Sequence, residues 1–272
     1  MVKRDDTNVD NEKRGKLLLI AAFISLAMFV FKVSQMQTQT LIWRVYMHAG
    51  IYAVITFVGL LWAFSIQVKK KSFLYLFQAS LFVFAEVLFV ELFFFQKFSR
   101  IYEAIILLAL ILLVFLGNYF VFLMANVFNV NLFRSIPLMQ VGRTVSYLAS
   151  IFMIYFFTFS LLASSFVPYI TFPLILLAYS VVVLLHYINI DVVGVELARK
   201  TGITVLIMIV LLLPVMLFGN VHEIISFAPV VGYFFSVNIV THERISNGYV
   251  KNIPLYSAIL TIVMILILLL NR

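Results

Sequence analysis

Glu86 is the residue of this sequence best placed to do chemistry. It stands near the middle of a long apolar run, FLYLFQASLFVFAEVLFVELFFF, over residues 73–95. An ionisable side chain at the centre of a bilayer costs about 2.5–3.5 kcal/mol on insertion scales, so it persists where it pairs, binds or moves a charge. A carboxyl there can carry a proton or a cation, ligate a substrate, or act as a general acid or base. The plain alternative is a carboxyl that hydrogen-bonds a neighbouring helix and only ties the bundle together. On a helical wheel Glu86 falls near Gln78, whereas Glu91 falls near Ser80 on another side. A helix polar on two sides belongs inside a bundle, so this span is expected at its centre.

A second constellation lies toward the outer ends of the apolar runs. Glu91, Lys97, Arg100 and Glu103 bracket one turn, and an ion-paired hairpin is the plain reading. The sharper reading joins Glu91 and Glu103 to His48, His222 and Glu223. Five such groups, drawn from four spans, could serve a lipid-directed enzyme or hold a divalent metal. No HExxH or Glu-x-x-His spacing appears on any one helix, so no metal is expected.

The third constellation is a polar stripe. His222, Ser226, Pro229, Tyr233 and Ser236 recur at steps of three and four residues, which puts them on one helix face. Such a face lines a hydrated path or a substrate groove, or it packs closely and hydrogen-bonds across an interface. The four histidines, His48, His186, His222 and His242, fall two to each side of the membrane, as a bis-haem bundle requires. All four sit at span ends, where His is ordinary, and no cofactor is expected. Asn118, Asn126 and Asn129 read as interhelical hydrogen-bond donors.

Other chemistries leave no trace. The sequence has no Walker loop, GxGxxG, GxSxG, paired aspartate motif or mid-span Lys. With no Cys there is no disulfide, thiolate nucleophile or cysteine metal site.

The elements that must position these residues are apolar helices. Apolar residues make up 64% of the 272, charged residues only 11%, and the mean hydropathy is +1.14. Soluble domains carry about 25% charged residues, so this mixture cannot clothe a water-facing surface. A spanning helix takes roughly 20 residues, and nine fit. The expected fold is an all-α transmembrane bundle with spans at about 17–36, 46–66, 73–95, 101–128, 146–166, 168–188, 203–218, 222–240 and 254–270, eight being possible. Residues 1–16 read as a disordered tail, and the rest as a single membrane domain. Residues 129–144 read as interfacial. Residues 189–202 read as a short surface helix, started by Asp191 and ended by Gly202.

Basic residues set the orientation. With nine spans, 14 of the 19 Lys and Arg fall on the side of the N-terminus and 5 on the other. The positive-inside rule then predicts a cytoplasmic N-terminus and an extracytoplasmic C-terminus. The same placement explains the net charge of +8: these residues meet lipid headgroups, and no nucleic-acid partner is expected.

Three functions compete: a small transporter or flippase-like carrier of an ion or small molecule through Glu86, a polytopic enzyme acting on lipid at the outer leaflet, and a scaffold or subunit with partner membrane proteins. The carrier reading leads, because carboxylates at mid-membrane mark paths. A prokaryotic cell membrane is the default location.

Overall fold

A computed structural model describes residues 6–34, 41–65, 72–93, 101–129, 136–218 and 221–242, with positions 265 and 269. The described residues form helices and short turns, with no strand. The helices are α1 (Asp6–Ser34), α2 (Ile42–Ala63), α3 (Ser72–Phe93), α4 (Ile101–Asn129), α5 (Ile136–Ala163), α6 (Pro168–Asn189), α7 (Val195–Phe218), α8 (His222–Ile225) and α9 (Phe227–His242). Seven of them, α1 to α7, are long and apolar enough to cross a membrane. In hydrocarbon every backbone polar group must find its partner within the segment, which apolar runs of this length achieve only as helices. This is the architecture of a multi-pass membrane protein.

Several boundaries differ from the sequence reading. Helix α1 begins at Asp6 rather than at Leu17, supported in its polar part by the Glu12–Lys16 pair at 2.7 Å, one helical turn apart. The segment expected at the interface supplies the first turns of α5, with Pro137 at a position where a helix tolerates its missing N–H. The expected surface helix and seventh span are one helix, α7. Gly202 does not end it, because apolar periodicity resumes at once and an interior Gly costs only about 1 kcal/mol. Asp191 and Gly194 have φ of 63° and 69°, and they form the turn that separates α6 from α7. The eighth expected span is divided at Ser226, leaving α9 with 16 residues. The ninth lies outside the described residues, apart from positions 265 and 269, which are helical.

Contacts group the chain into two compact units, Met1–Ala149 and Ser150–Arg272. In the first unit α1, α2, α3 and α4 form a closed ring: each packs on its neighbour in the chain, and α4 returns to α1. The start of α5 joins this unit through Gln78 Nε2, which donates to Ser146 Oγ at 3.3 Å. Within the span windows 67% of α3 is buried, against 22% of α2. The outer faces carry bare hydrocarbon, such as Leu108, Leu112 and Leu113 of α4. Water would penalise such a surface, and lipid does not.

Helix α2 carries an exposed Trp near each end, Trp43 and Trp62. At 1.5 Å per residue they stand about 28 Å apart, close to the hydrocarbon thickness. The guanidinium of Arg44 lies 5.5 Å from the Trp43 ring and the ammonium of Lys16 lies 5.2 Å from the Trp62 ring. Each end thus pairs an amphipathic ring with a cation, as membrane–water interfaces favour.

In the second unit α7 packs against both α6 and α9. Tyr187 Oη lies 2.8 Å from Thr204 Oγ1 between α6 and α7. Tyr179 Oη lies 2.7 Å from Thr158 Oγ1 between α6 and α5.

Candidate functional site

The first unit holds carboxyls at two depths of α3. Glu86 is 4% exposed and Glu91 7%. Five residues separate them, about 7.5 Å along the axis.

The deep layer is formed by α3 and α4. The Asn118 side chain, fully buried on α4, faces the Glu86 carboxyl. Its neighbour Gly117 leaves room there: a Cβ on Gly117 would stand 3.6 Å from Glu86 Oε1 and 3.7 Å from the Phe82 ring. Glu86 Oε2 and both amide atoms of Asn118 complete no hydrogen bond. More than about 90% of buried polar groups are satisfied in folded proteins. The carboxyl and the amide face each other closely enough to interact, and the hydrogen-bonding capacity they leave over could be met by water or another polar guest.

The shallow layer joins α1, α2 and α3. His48 Nδ1 lies 3.7 Å from Glu91 Oε1. That is too long for a hydrogen bond, and within ion-pair reach when the imidazole is protonated. The ring of Phe31 meets His48 edge-on, centroids 4.5 Å apart. Lys32 Nζ donates to the main-chain carbonyl of Glu91 at 3.1 Å. Tyr52, one turn beyond His48, faces the Glu91 carboxyl. A narrow cleft with room for about one water is lined here by Met28, Phe31, Lys32, Tyr52, Val87, Val90 and Glu91.

Of the five outer residues, His48 and Glu91 meet. Glu103 lies in the first turn of α4, and its side chain is outside the described residues. His222 and Glu223 form the first turn of α8 in the second unit, where Glu223 faces Tyr155 of α5. Among the described residues no group of three or more His, Cys, Asp or Glu is placed to hold a metal ion. Gln78 does not share a level with Glu86. Eight residues separate them, about 12 Å along the axis.

The stripe on the eighth span is buried: Ser226, Tyr233 and Ser236 are fully enclosed, and His222 is half-buried. Ser226 Oγ donates to the His222 carbonyl at 2.7 Å, and Ser236 Oγ to the Gly232 carbonyl at 2.6 Å. Each serine proton is therefore engaged one turn back on its own helix. The Tyr233 ring stands edge-on to His186, centroids 5.6 Å apart.

Sequence reasoning singled out neither Lys32 nor Tyr52 for this cleft, and it treated Asn118 only as a generic donor. A signal existed for Lys32, which interrupts the first apolar run at the end where Glu91 interrupts the third. Asn118 and Gly117 carried none, because only helix packing sets them opposite Glu86.

Comparison with known protein families, curated proteins and solved structures finds no match.

Proposed function

We propose that this protein is a small carrier of the cell membrane, and that its first unit moves a proton or small polar guest past Glu86. The observation that supports the reading is the unsatisfied polar spot made by Glu86 Oε2 and the Asn118 amide. A scaffold gains nothing from buried polar atoms without partners, and each costs about 1–3 kcal/mol. A carrier needs such a spot, because its guest supplies the missing hydrogen bonds in transit. Depth agrees. His48 is five residues in from Trp43, and Glu86 is five further from Glu91, so Glu86 stands about 15 Å from the Trp43 level. That is close to the bilayer midplane.

The carrier is oriented with Lys16 and Trp62 at the cytoplasmic face and Trp43 and Arg44 at the outer face, following the basic-residue bias of the whole chain.

The test is proton flux. The full chain is reconstituted into liposomes containing a pH-sensitive dye, and a potassium diffusion potential is imposed with valinomycin. Wild type is expected to acidify the lumen above protein-free liposomes, and Glu86→Gln to fall to their level. Wild-type flux at background removes proton movement, and undiminished flux in Glu86→Gln removes Glu86 from the path.

The lipid-enzyme reading has one observation in its favour, the approach of the Glu91 carboxyl to the His48 imidazole. A carboxylate that orients an imidazole is the arrangement of a general base. Release of headgroup or acyl chain from lipid vesicles, lost in His48→Ala, is its test; no release ends it.

A further inference from the structure

We infer that Asn118 makes the Glu86 site selective for a proton over an alkali cation. This assignment rests on the carrier reading, since it names the cargo. A proton at the site can nevertheless be seen without any flux, so the two fail separately.

The fully buried side chain of Asn118 on α4 faces the buried carboxyl of Glu86 on α3. An amide and a carboxylic acid are complementary in their donors and acceptors. The acid O–H donates to the amide carbonyl, and the amide N–H donates to the acid carbonyl. A carboxylate keeps only half of this pairing: it accepts the N–H, and its second oxygen meets the amide carbonyl acceptor to acceptor. The neutral acid is therefore the better match, and a charge this deep in hydrocarbon is costly besides. The surviving N–H bond is charge-assisted, so Asn118 still holds the carboxylate after the proton leaves. Glu86 Oε2 and both amide atoms stop short of full hydrogen-bond geometry at rest. A small rotation of either side chain then selects one pairing or the other. Asn118 thus suits both loading and release.

A metal cation is poorly served by the same groups. Glu86 and Asn118 together offer three side-chain oxygens, whereas hard cations take about six or more. The other close neighbours are Gly117 and the Phe82 ring, and neither brings a side-chain oxygen. The space left by the missing Cβ of Gly117 is that of a methyl group. It admits a water but not a cation with the waters that would complete its shell. The Asn118 N–H groups, turned toward the carboxyl, also repel a cation approaching it. A proton needs none of these ligands.

The experiment is infrared difference spectroscopy of the full chain in liposomes, perfused in turn with sodium chloride and choline chloride at neutral pH. The C=O stretch of Glu86 in its acid form is the carboxylic-acid band that Glu86→Gln lacks. Wild type is expected to show this band and to keep it in sodium. Asn118→Leu removes the amide and is expected to shift the band to higher frequency, as a C=O that loses its donor does. A merely structural role for Asn118 would leave that frequency where it is. Asn118→Asp supplies a fourth oxygen and removes the N–H donors, and sodium is then expected to displace the proton and erase the band. Loss of the wild-type band in sodium overturns the selectivity without recourse to any variant at Asn118, and so does the lack of any Glu86-dependent band. An unshifted band in Asn118→Leu, or an Asn118→Asp band indifferent to sodium, takes the selectivity away from Asn118. A sodium-indifferent band in a protein that moves no protons leaves the proton site standing and ends the carrier.

Discussion

Gly232 of α9 lies so close to α7 that a Cβ in its place would stand 3.1 Å from the Cα of Met208 and 3.1 Å from Leu211 Cδ1. The Leu211 methyl can swing away, but the Met208 backbone cannot. Helices in lipid associate through such small-residue contacts, since lipid tails are as apolar as the side chains. Gly232→Ala is expected to lower the Tm of the purified protein, and Gly232→Val to lower it further, in keeping with overpacking costs of about 1–3 kcal/mol. Gly202→Ala is the control, since nothing lies within 4 Å of a Cβ there. An unchanged Tm in Gly232→Val would contradict the α7–α9 packing.

Thr158 and Tyr179 share a buried hydrogen bond in which the direction is settled by counting protons. Thr158 Oγ1 lies 2.6 Å from the Ile154 carbonyl, to which it donates. Tyr179 therefore donates to Thr158 at 2.7 Å. Interhelical bonds of this kind average about 0.6 kcal/mol in membrane proteins, with a ceiling of about 1.7. A double-mutant cycle with Thr158→Val and Tyr179→Phe, read by unfolding in mixed micelles, is expected to give a coupling in that range. Zero coupling would separate the two hydroxyls.

Glu86 has no cation beside it among its described neighbours, and its surroundings are Asn118, Gly117 and Phe82. Glu86→Gln keeps the shape of the side chain and is expected to give wild-type yield and a monodisperse peak on size-exclusion chromatography. Glu86→Lys adds length and a cation with no acidic partner facing it. Insertion scales put such a residue at about 2.5–3.5 kcal/mol, and yield is expected to fall several-fold. Equal yields for the two variants would place Glu86 in contact with bulk water.

The chain has no Cys, so single cysteines report orientation without background. Gln37→Cys, between the first two spans, is expected to react with a membrane-impermeant maleimide in intact cells. Lys70→Cys, between the second and third, is expected to react only after lysis. The reverse pattern would invert the orientation assigned from the basic residues.

Much of the local structure was legible in the residues themselves. The bounds of α2, α3, α4 and α6 follow from where long apolar runs begin and end, because in lipid such a run has no alternative to a helix. The strong burial of α3 agrees with two carboxyls on different sides of one helix. Boundaries failed where polar residues lie next to apolar ones. Asp6 to Lys16 continues α1, and Val195 to Gly202 continues α7, because a helix already nucleated by its apolar part extends at little cost. A surface helix and a span differ in environment, and the local sequence has the same backbone preference in both.

What the sequence alone determined is therefore the class: an apolar, helical, membrane-spanning chain with an ionisable group deep in its third helix. Its hydropathy leaves no other solvent in which to fold. Which polar residues meet was decided only by packing. Lys32, His48 and Glu91 are far apart in the chain, and they converge because α1 and α3 both lie against α2. Asn118 and Gly117 come to Glu86 because α4 packs on α3 with a glycine at the contact. Apolar faces carry almost no instruction about which neighbour they choose. The fit of side-chain shapes, which no periodicity records, brought these groups together.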